Sequence, residues 1–415
     1  MSSVEWWKAA SVAVGAVMLL SMGSAYVISS WNNQMKDMLH MTQTDITAVS
    51  SCFTFGQFNL LWPGMFYDRF GARWSALASA TLLGVFYWTA SALTAAPDAP
   101  HWYMAACFAV IGLAHAFPTI TGIAANEGLY GEAHRGKIMG LMASSYSGGG
   151  ALFALLYHVW FDQRVGAYFH FMGWEMLLVC LAGVVLLKHT SNTGNVDYSQ
   201  DEEAHHLLAR DMTMGPLLRT RQFWYLFVAV MFGVGCPLFV MNNLSFIVES
   251  NGGNLDSVPT LVLTFSLVNL AGRFAMGAVS DAFLKTVPRT RFLAASIFLV
   301  GLCQLLFLVC PVEAIVVPVV LTGFAEGCVF GVFPILIREL FGARHFGKNY
   351  GLVGLANAVG FPLVLGPLSS SLYRLHLTPG TEKCTGSMCF TPMFVLTAVL
   401  SGVAWLCALR LRHSR

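Results

Sequence analysis

Long apolar runs constrain this chain more than any other feature. Stretches of about 20 apolar residues, the length a helix needs to cross the hydrocarbon core of a bilayer, recur throughout the 415 residues. Twelve spans are expected, at roughly 9–31, 45–66, 75–96, 102–125, 138–160, 167–187, 222–248, 259–280, 291–310, 314–337, 350–372 and 391–409. Lipid offers no hydrogen-bond partner to an unpaired peptide group, so a chain of this kind is an all-α integral membrane protein. The first run, Ala9 to Trp31, is too long for the apolar core of a secretion signal and reads as the first spanning helix. Pro118 and Pro334, in the fourth and tenth spans, predict local kinks.

Composition supports the membrane class. Charged residues make up 11% of the chain and mean hydropathy is +0.64, whereas soluble domains carry about a quarter charged residues. With 23 Lys and Arg against 21 Asp and Glu, there is no basic excess to suggest nucleic acid. If both termini are cytoplasmic, 18 Lys and Arg fall on the inside and four (Lys36, Arg164, Arg374 and Lys383) outside, with Arg273 left within a span. That split follows the positive-inside rule and supports an even number of spans, in the plasma membrane or an endomembrane. Eight of the ten Cys lie in or beside apolar runs and read as small packing residues. Cys384 and Cys389 lie instead in a polar loop, where a disulfide is expected if the loop faces an oxidising compartment.

The polar stretch 188–221 divides the chain six spans from six: a first bundle at 1–187 and a second at 222–415. It holds Asp201, Glu202, Glu203, His205 and His206 and reads as a solvated linker. The halves are related by an internal repeat. Gly131, His134, Gly136, Lys137 and Gly140 recur 211 residues later as Gly342, His345, Gly347, Lys348 and Gly351. At the same offset Gly112-Leu-Ala-His115 pairs with Gly323-Phe-Ala-Glu326.

After the second span comes Gly64-x-x-x-Asp68-Arg69-x-Gly71-x-Arg73, echoed after the eighth as Gly277-x-x-x-Asp281. Glycine lets helices approach closely, and a carboxylate suits a neighbouring helix N-terminus. The first copy resembles the signature loop of the major facilitator superfamily. The resemblance implies twelve helices in two pseudo-symmetric six-helix bundles, with Asp68 meeting the start of span eleven and Asp281 the start of span five. Gly64, Asp68, Arg69, Gly71, Arg73, Gly277 and Asp281 are therefore candidate gating residues. Ala282 stands where the second copy would carry Arg, which predicts a weaker second gate. The chain further resembles the nodulin-like branch, through Tyr67–Gly71, Asn242-Asn243-Leu244, Gly272-Arg273, Glu339–Gly342, His345–Gly347 and the Cys384/Cys389 pair.

A charge at the depth of Arg273 normally faces a cavity or a partner. The arrangement is similar to monocarboxylate and oxalate porters, in which an Arg at this place in span eight holds a substrate carboxylate. Here Asn269 stands where monocarboxylate porters have Asp, and span eleven offers no Lys. The other reading is an Arg snorkelling towards the inner gate. His115 and Glu326 occupy equivalent places in spans four and ten and are candidates for proton coupling. Core packing for His115, and a transition-metal or metal-chelate site shared with Glu326, are the competing readings. Asn242 and Asn243, after Gly233, Gly235 and Pro237, suggest a broken helix lining a substrate path. Tyr146, beside Gly148–Gly150, is a further candidate lining residue.

The expected function is secondary transport of a small organic solute, an anion such as a monocarboxylate being favoured, by alternating access. The expected partners are that solute, the bilayer and a coupling proton, and the expected state is a monomer. No nucleophile–base arrangement, phosphate loop or cofactor motif appears, so neither enzyme chemistry nor a cofactor is expected. A metal porter and a transporter-like receptor that binds without moving its ligand are the alternatives.

Overall fold

The computed structural model describes residues 3–187, 211–376 and 384–412. His205 and His206 of the expected linker lie outside the described residues, as do Lys188, Arg210, Lys383 and Arg415. Every regular element among the described residues is helical, and eleven helices are long and apolar enough to cross a membrane.

The chain groups into two compact units. Unit 1 comprises Met1–Gly131, Ser145–Thr213 and Phe341–Leu355. Its helices include α1 (Ser3–Met22), which continues through a tighter turn at Gly23–Val27 into α2 (Ile28–Met38). They also include α3 (Gln43–Phe58), α4 (Leu61–Thr94), α5 (His101–Asn126) and α7 (Val165–Leu186). Between α5 and α7 runs α6 (Glu132–Leu155), whose first residues, Glu132–Ser144, belong to unit 2.

Unit 2 otherwise comprises Met214–Leu340 and Ala356–Arg415. It holds α8 (Met214–Arg219), α9 (Arg221–Ser250), α10 (Val258–Ala282), α11 (Arg289–Val309) and α12 (Val316–Phe341). The expected eleventh span is α13 (Phe346–Ala358), a wider π-type turn at Val359–Leu365 and α14 (Gly366–Leu375); α15 (Thr391–Leu409) ends the bundle.

Span two departs from its expected form. Instead of one helix over 45–66, α3 ends at Phe58 and α4 begins at Leu61. Pro63 is the cause: it has no N–H for the Asn59 carbonyl and its ring crowds that group. Asn59 accordingly leaves helical geometry, at ψ 67°. Spans two and three are separated within α4 at Gly71, whose φ of 82° belongs to the left-handed region. By contrast, α5 and α12 run without interruption through Pro118 and Pro334.

The repeat has a packing basis. Association between helices in lipid depends on close packing, which small residues permit. A Cβ at Gly112 would strike the Phe53 carbonyl, and one at Gly323 would crowd the Phe265 carbonyl. The core of unit 1 is aromatic, with Trp31, Phe53, Phe108 and Phe169 packed at ring separations of 5.1–6.2 Å. The second unit buries Leu244, Val248, Leu261, Phe265 and Val319 together.

Polar contacts tie down two connections. Asp211 of the expected linker accepts from the Arg344 backbone at 2.9 Å, and Asn349 donates to the Met212 carbonyl at 3.1 Å. This end of the linker is therefore docked rather than merely solvated. Cys384 and Cys389 are joined as a disulfide. Its loop is held by the Gly386 N–H on the Ser250 carbonyl (2.7 Å) and the Cys384 N–H on the Tyr373 hydroxyl (3.1 Å).

Candidate functional site

In unit 1 the Asp68 carboxylate accepts from the backbone N–H groups of Gly347 and Lys348, at 2.9 and 3.0 Å. The equivalent contact in unit 2 has Asp281 accepting from Gly136 and Lys137, each at 2.8 Å. Gly347 and Lys348 carry unpaired N–H groups of the first turn of α13, and Gly136 and Lys137 lie in the second turn of α6, so both carboxylates sit at the N-terminal, positive end of a helix. Glycine is required at the contact. A Cβ at Gly64 would collide with the Gly347 carbonyl, and one at Gly277 with the Gly136 carbonyl. Gly131 and Gly342, which precede these helix starts, both adopt left-handed φ, at 70° and 88°. Arg69 lies over the ring of Phe70 at 5.3 Å.

Ala282 predicts a weak second gate, but the guanidinium comes from elsewhere. Arg289, at the start of α11 and 1% exposed, donates to Asp281 at 2.7 Å, to the Glu132 carbonyl at 3.1 Å and to the Glu339 carboxylate. One side chain thereby joins the ends of α10, α11 and α12 to the start of α6. In the sequence Arg289 is one of several basic residues between spans eight and nine, and nothing there marks it as buried.

Deeper in unit 2 lies a second polar group. Arg273 and Asn269, four residues apart on α10, share a face. The Arg273 Nε donates to the Asn269 side-chain oxygen at 2.7 Å, and the Asn269 amide donates to Glu326 at 3.0 Å. Arg273 also donates to the Ala143 carbonyl at 3.3 Å and lies 4.1 Å from the Phe330 ring centroid. All three polar residues are buried. Glycines again set the approach. Cβ atoms at Gly327 and Gly331 would run into the carbonyls of Asn269 and Arg273, so α12 packs on α10 closely enough to bring Glu326 and Phe330 to them. Asn269 is neutral, and the carboxylate of this group stands on α12.

The unit 1 candidates are arranged differently. His115, 1% exposed, is 3.0 Å from the Tyr87 hydroxyl and packs edge-on against Phe53. It belongs to unit 1 and Glu326 to unit 2, each with partners of its own. Among the described residues no group of three or more His, Cys, Asp and Glu could hold a metal ion. Tyr146 accepts a hydrogen bond from the Gln57 amide and meets Tyr26 edge-on at 5.7 Å. A carboxylate that sequence reasoning passed over, Glu175 in the sixth span, is hydrogen-bonded to Ser21 of α1 at 2.5 Å. The signal was available, since Glu175 is the one acidic residue in that expected span.

Asn242 and Asn243 correct the expected broken helix. The α9 helix continues through Pro237 and both asparagines to Ser250. Each amide donates back to its own helix, to Leu238 and Phe239 carbonyls at 2.8 Å. Each amide therefore has one N–H engaged by its own helix.

Two repeated six-span halves, with matched carboxylate–helix contacts and a buried cation–carboxylate group, define a multi-pass membrane transporter. The chain belongs to the Major Facilitator Superfamily, whose sequence pattern matches residues 13–282 and 238–415. It is 27% identical over 354 residues to the uncharacterized MFS-type transporter YhjX of Escherichia coli, covering 82% of each chain. To the probable transporter MCH1 of Candida albicans it is 21% identical, covering 95% of this chain and 90% of that one. Among solved structures, the proton:xylose symporter XylE matches with a TM-score of 0.73 at 12% identity, over 99% of this chain and 97% of that one. The transporter FucP, solved in an outward conformation, matches with a TM-score of 0.67 at 14% identity, over 97% and 99%. These relatives are transporters rather than enzymes, and this chain is a secondary transporter of the same fold.

Proposed function

We propose that the chain moves a small organic anion, a monocarboxylate in the first instance, by alternating access with Arg273 as the anchor. The observation that carries this reading is the buried Arg273 guanidinium. A guanidinium has five N–H donors in a rigid fork suited to a carboxylate, and the contacts to Asn269 and Ala143 engage two of them. Phe330 braces one face of the group and Asn269 fixes its Nε edge. Held at both places, the cation is presented rather than free to snorkel, and a substrate carboxylate completes the fork. Glu326, linked through Asn269, is the group whose proton accompanies the anion; XylE is by description a proton symporter, and His115 is the second coupling candidate. The monomer, the cytoplasmic termini and the placing of both Asp–glycine gates on the cytoplasmic face belong to the same proposal.

Uptake of labelled monocarboxylates, dicarboxylates and sugars into proteoliposomes tests it. Arg273→Lys, which keeps the charge and loses the fork, is expected to cut carboxylate uptake at least tenfold with normal protein yield. Uptake of a neutral sugar, unaffected by that substitution, would overturn the anion reading and leave secondary transport standing.

A further inference from the structure

Ser21 makes two hydrogen bonds but has one hydroxyl proton to give. Its Oγ is 2.5 Å from Glu175 Oε1 and 3.1 Å from the Val17 carbonyl oxygen. A carbonyl only accepts, so when the hydroxyl proton points at Val17 the proton in the other bond must come from Glu175. Both bonds reach full strength together only if the carboxyl is protonated, because a hydroxyl proton shared between two acceptors is divided between them. When it is ionised, the Ser21 hydroxyl is drawn to Glu175 and its bond to Val17 weakens.

We propose that Glu175 and Ser21 form a proton-binding site inside unit 1, separate from the Arg273–Asn269–Glu326 group, whose occupancy is read by the first span. Its surroundings are selective for a neutral occupant. Tyr87 of α4 and Tyr168 and Cys180 of α7 interact electrostatically with Glu175, and all three are neutral in their usual protonation states. Tyr87 continues to His115 on α5. Among the described residues Glu175 Oε2 and the Tyr168 hydroxyl are buried without a hydrogen-bond partner, so an ionised carboxylate would lack the donors that a buried charge needs.

The position of Ser21 gives the proton a mechanical consequence. It is the penultimate residue of α1, next to the tighter Gly23–Val27 turn, and such mid-span turns often mark hinges. A serine hydroxyl bonded to the carbonyl four residues back bends a helix, so protonation holds that bend and deprotonation relaxes it. The turn carries Tyr26, which packs on Tyr146, and a Cβ at Gly23 would collide with the Tyr146 carbonyl. Proton binding at Glu175 thus acts on the contact between the first and fifth spans. The link to solute movement rests on the transport reading above; the proton binding does not.

The test is a pH titration of the lipid-reconstituted protein by infrared spectroscopy, without substrate. A protonated-carboxyl carbonyl band is expected that fades as pH rises, is lost in Glu175→Gln and persists in Glu326→Gln. Gln matches Glu in shape and its amide donates to Ser21, so the variant keeps the fold. A second readout uses the wild-type chain and dicyclohexylcarbodiimide. The carboxyl O–H adds across one C=N bond and rearranges to an N-acylurea with no leaving group, so Glu175 gains the whole reagent mass, less so as pH rises. A band unchanged in Glu175→Gln, or Glu175 unmarked at every pH, overturns the proposal. Lost uptake with an intact band and mark would fault the transport reading alone.

Discussion

At the scale of residues, buried charge is decisive, because an unmatched charge in a bilayer or helix interface is costly. Arg289 serves two carboxylates, Asp281 and Glu339, within one buried group. Breaking such a group by removing one partner costs about 3–5 kcal/mol. Arg289→Ala is therefore expected to lower the thermal unfolding midpoint markedly, and Glu339→Gln added to it should recover part of the loss by removing one stranded charge. Thermal melts of the single and double variants check this. Asn269 bridges Arg273 to Glu326, and its removal as Asn269→Ala should cost about 1 kcal/mol, the usual size of a polar contact between membrane helices. Its effect on uptake should be far larger than on the melt, since it sets the guanidinium's direction. Arg273 was legible in the sequence because a lone charge inside an apolar run stands out. Arg289 was not, since only tertiary packing distinguishes it from its exposed neighbours, and Glu175 was legible by the rule applied to Arg273 but was passed over.

Among the elements, glycine and proline placement explains most of the geometry. Gly64 and Gly277 each sit against a backbone carbonyl, with no space for a methyl group. Gly64→Ala is expected to push the Asp68 contact apart, at about 1–3 kcal/mol for overpacking, and to raise the labelling of a cysteine placed at Ala72. Unchanged labelling would show that the helices accommodate the methyl group. Gly71→Ala should cost about 1–2 kcal/mol, because a Cβ is disfavoured in the left-handed conformation, and a melt against wild type would detect it. The sequence carried the glycine spacing plainly. It carried the break in span two less plainly, because the effect of Pro63 falls four residues upstream at Asn59, inside an apolar run. Asn242 and Asn243 misled in the opposite sense: an asparagine amide can return to its own helix carbonyl, and then it no longer signals a break.

For the whole molecule, the two compact units do not coincide with the two halves of the sequence. Glu132–Ser144 groups with the later helices and Phe341–Leu355 with the earlier ones. The twelve-span count and the repeat were legible because hydropathy and a fixed 211-residue offset survive in one sequence; the interleaving was not, since it depends on which helix starts touch which carboxylates. A chain cut within residues 188–210 should consequently yield two fragments that are unstable when expressed singly and that copurify and regain uptake when expressed together. Independent stability of either fragment in a melt would contradict this.

Asp68, in the first half of the chain, finds its amides at Gly347 and Lys348 in the second, and Asp281 does the reverse. A polypeptide of half this length would carry a carboxylate and a matching pair of amides that do not meet on the same copy. Two such copies would answer each other's need. Fusing them into one translation product fixes the ratio at one to one, removes the concentration dependence of their meeting, and frees each side to mutate without its twin. Arg289, Ala282 and Glu175 are the kind of asymmetry that such freedom permits.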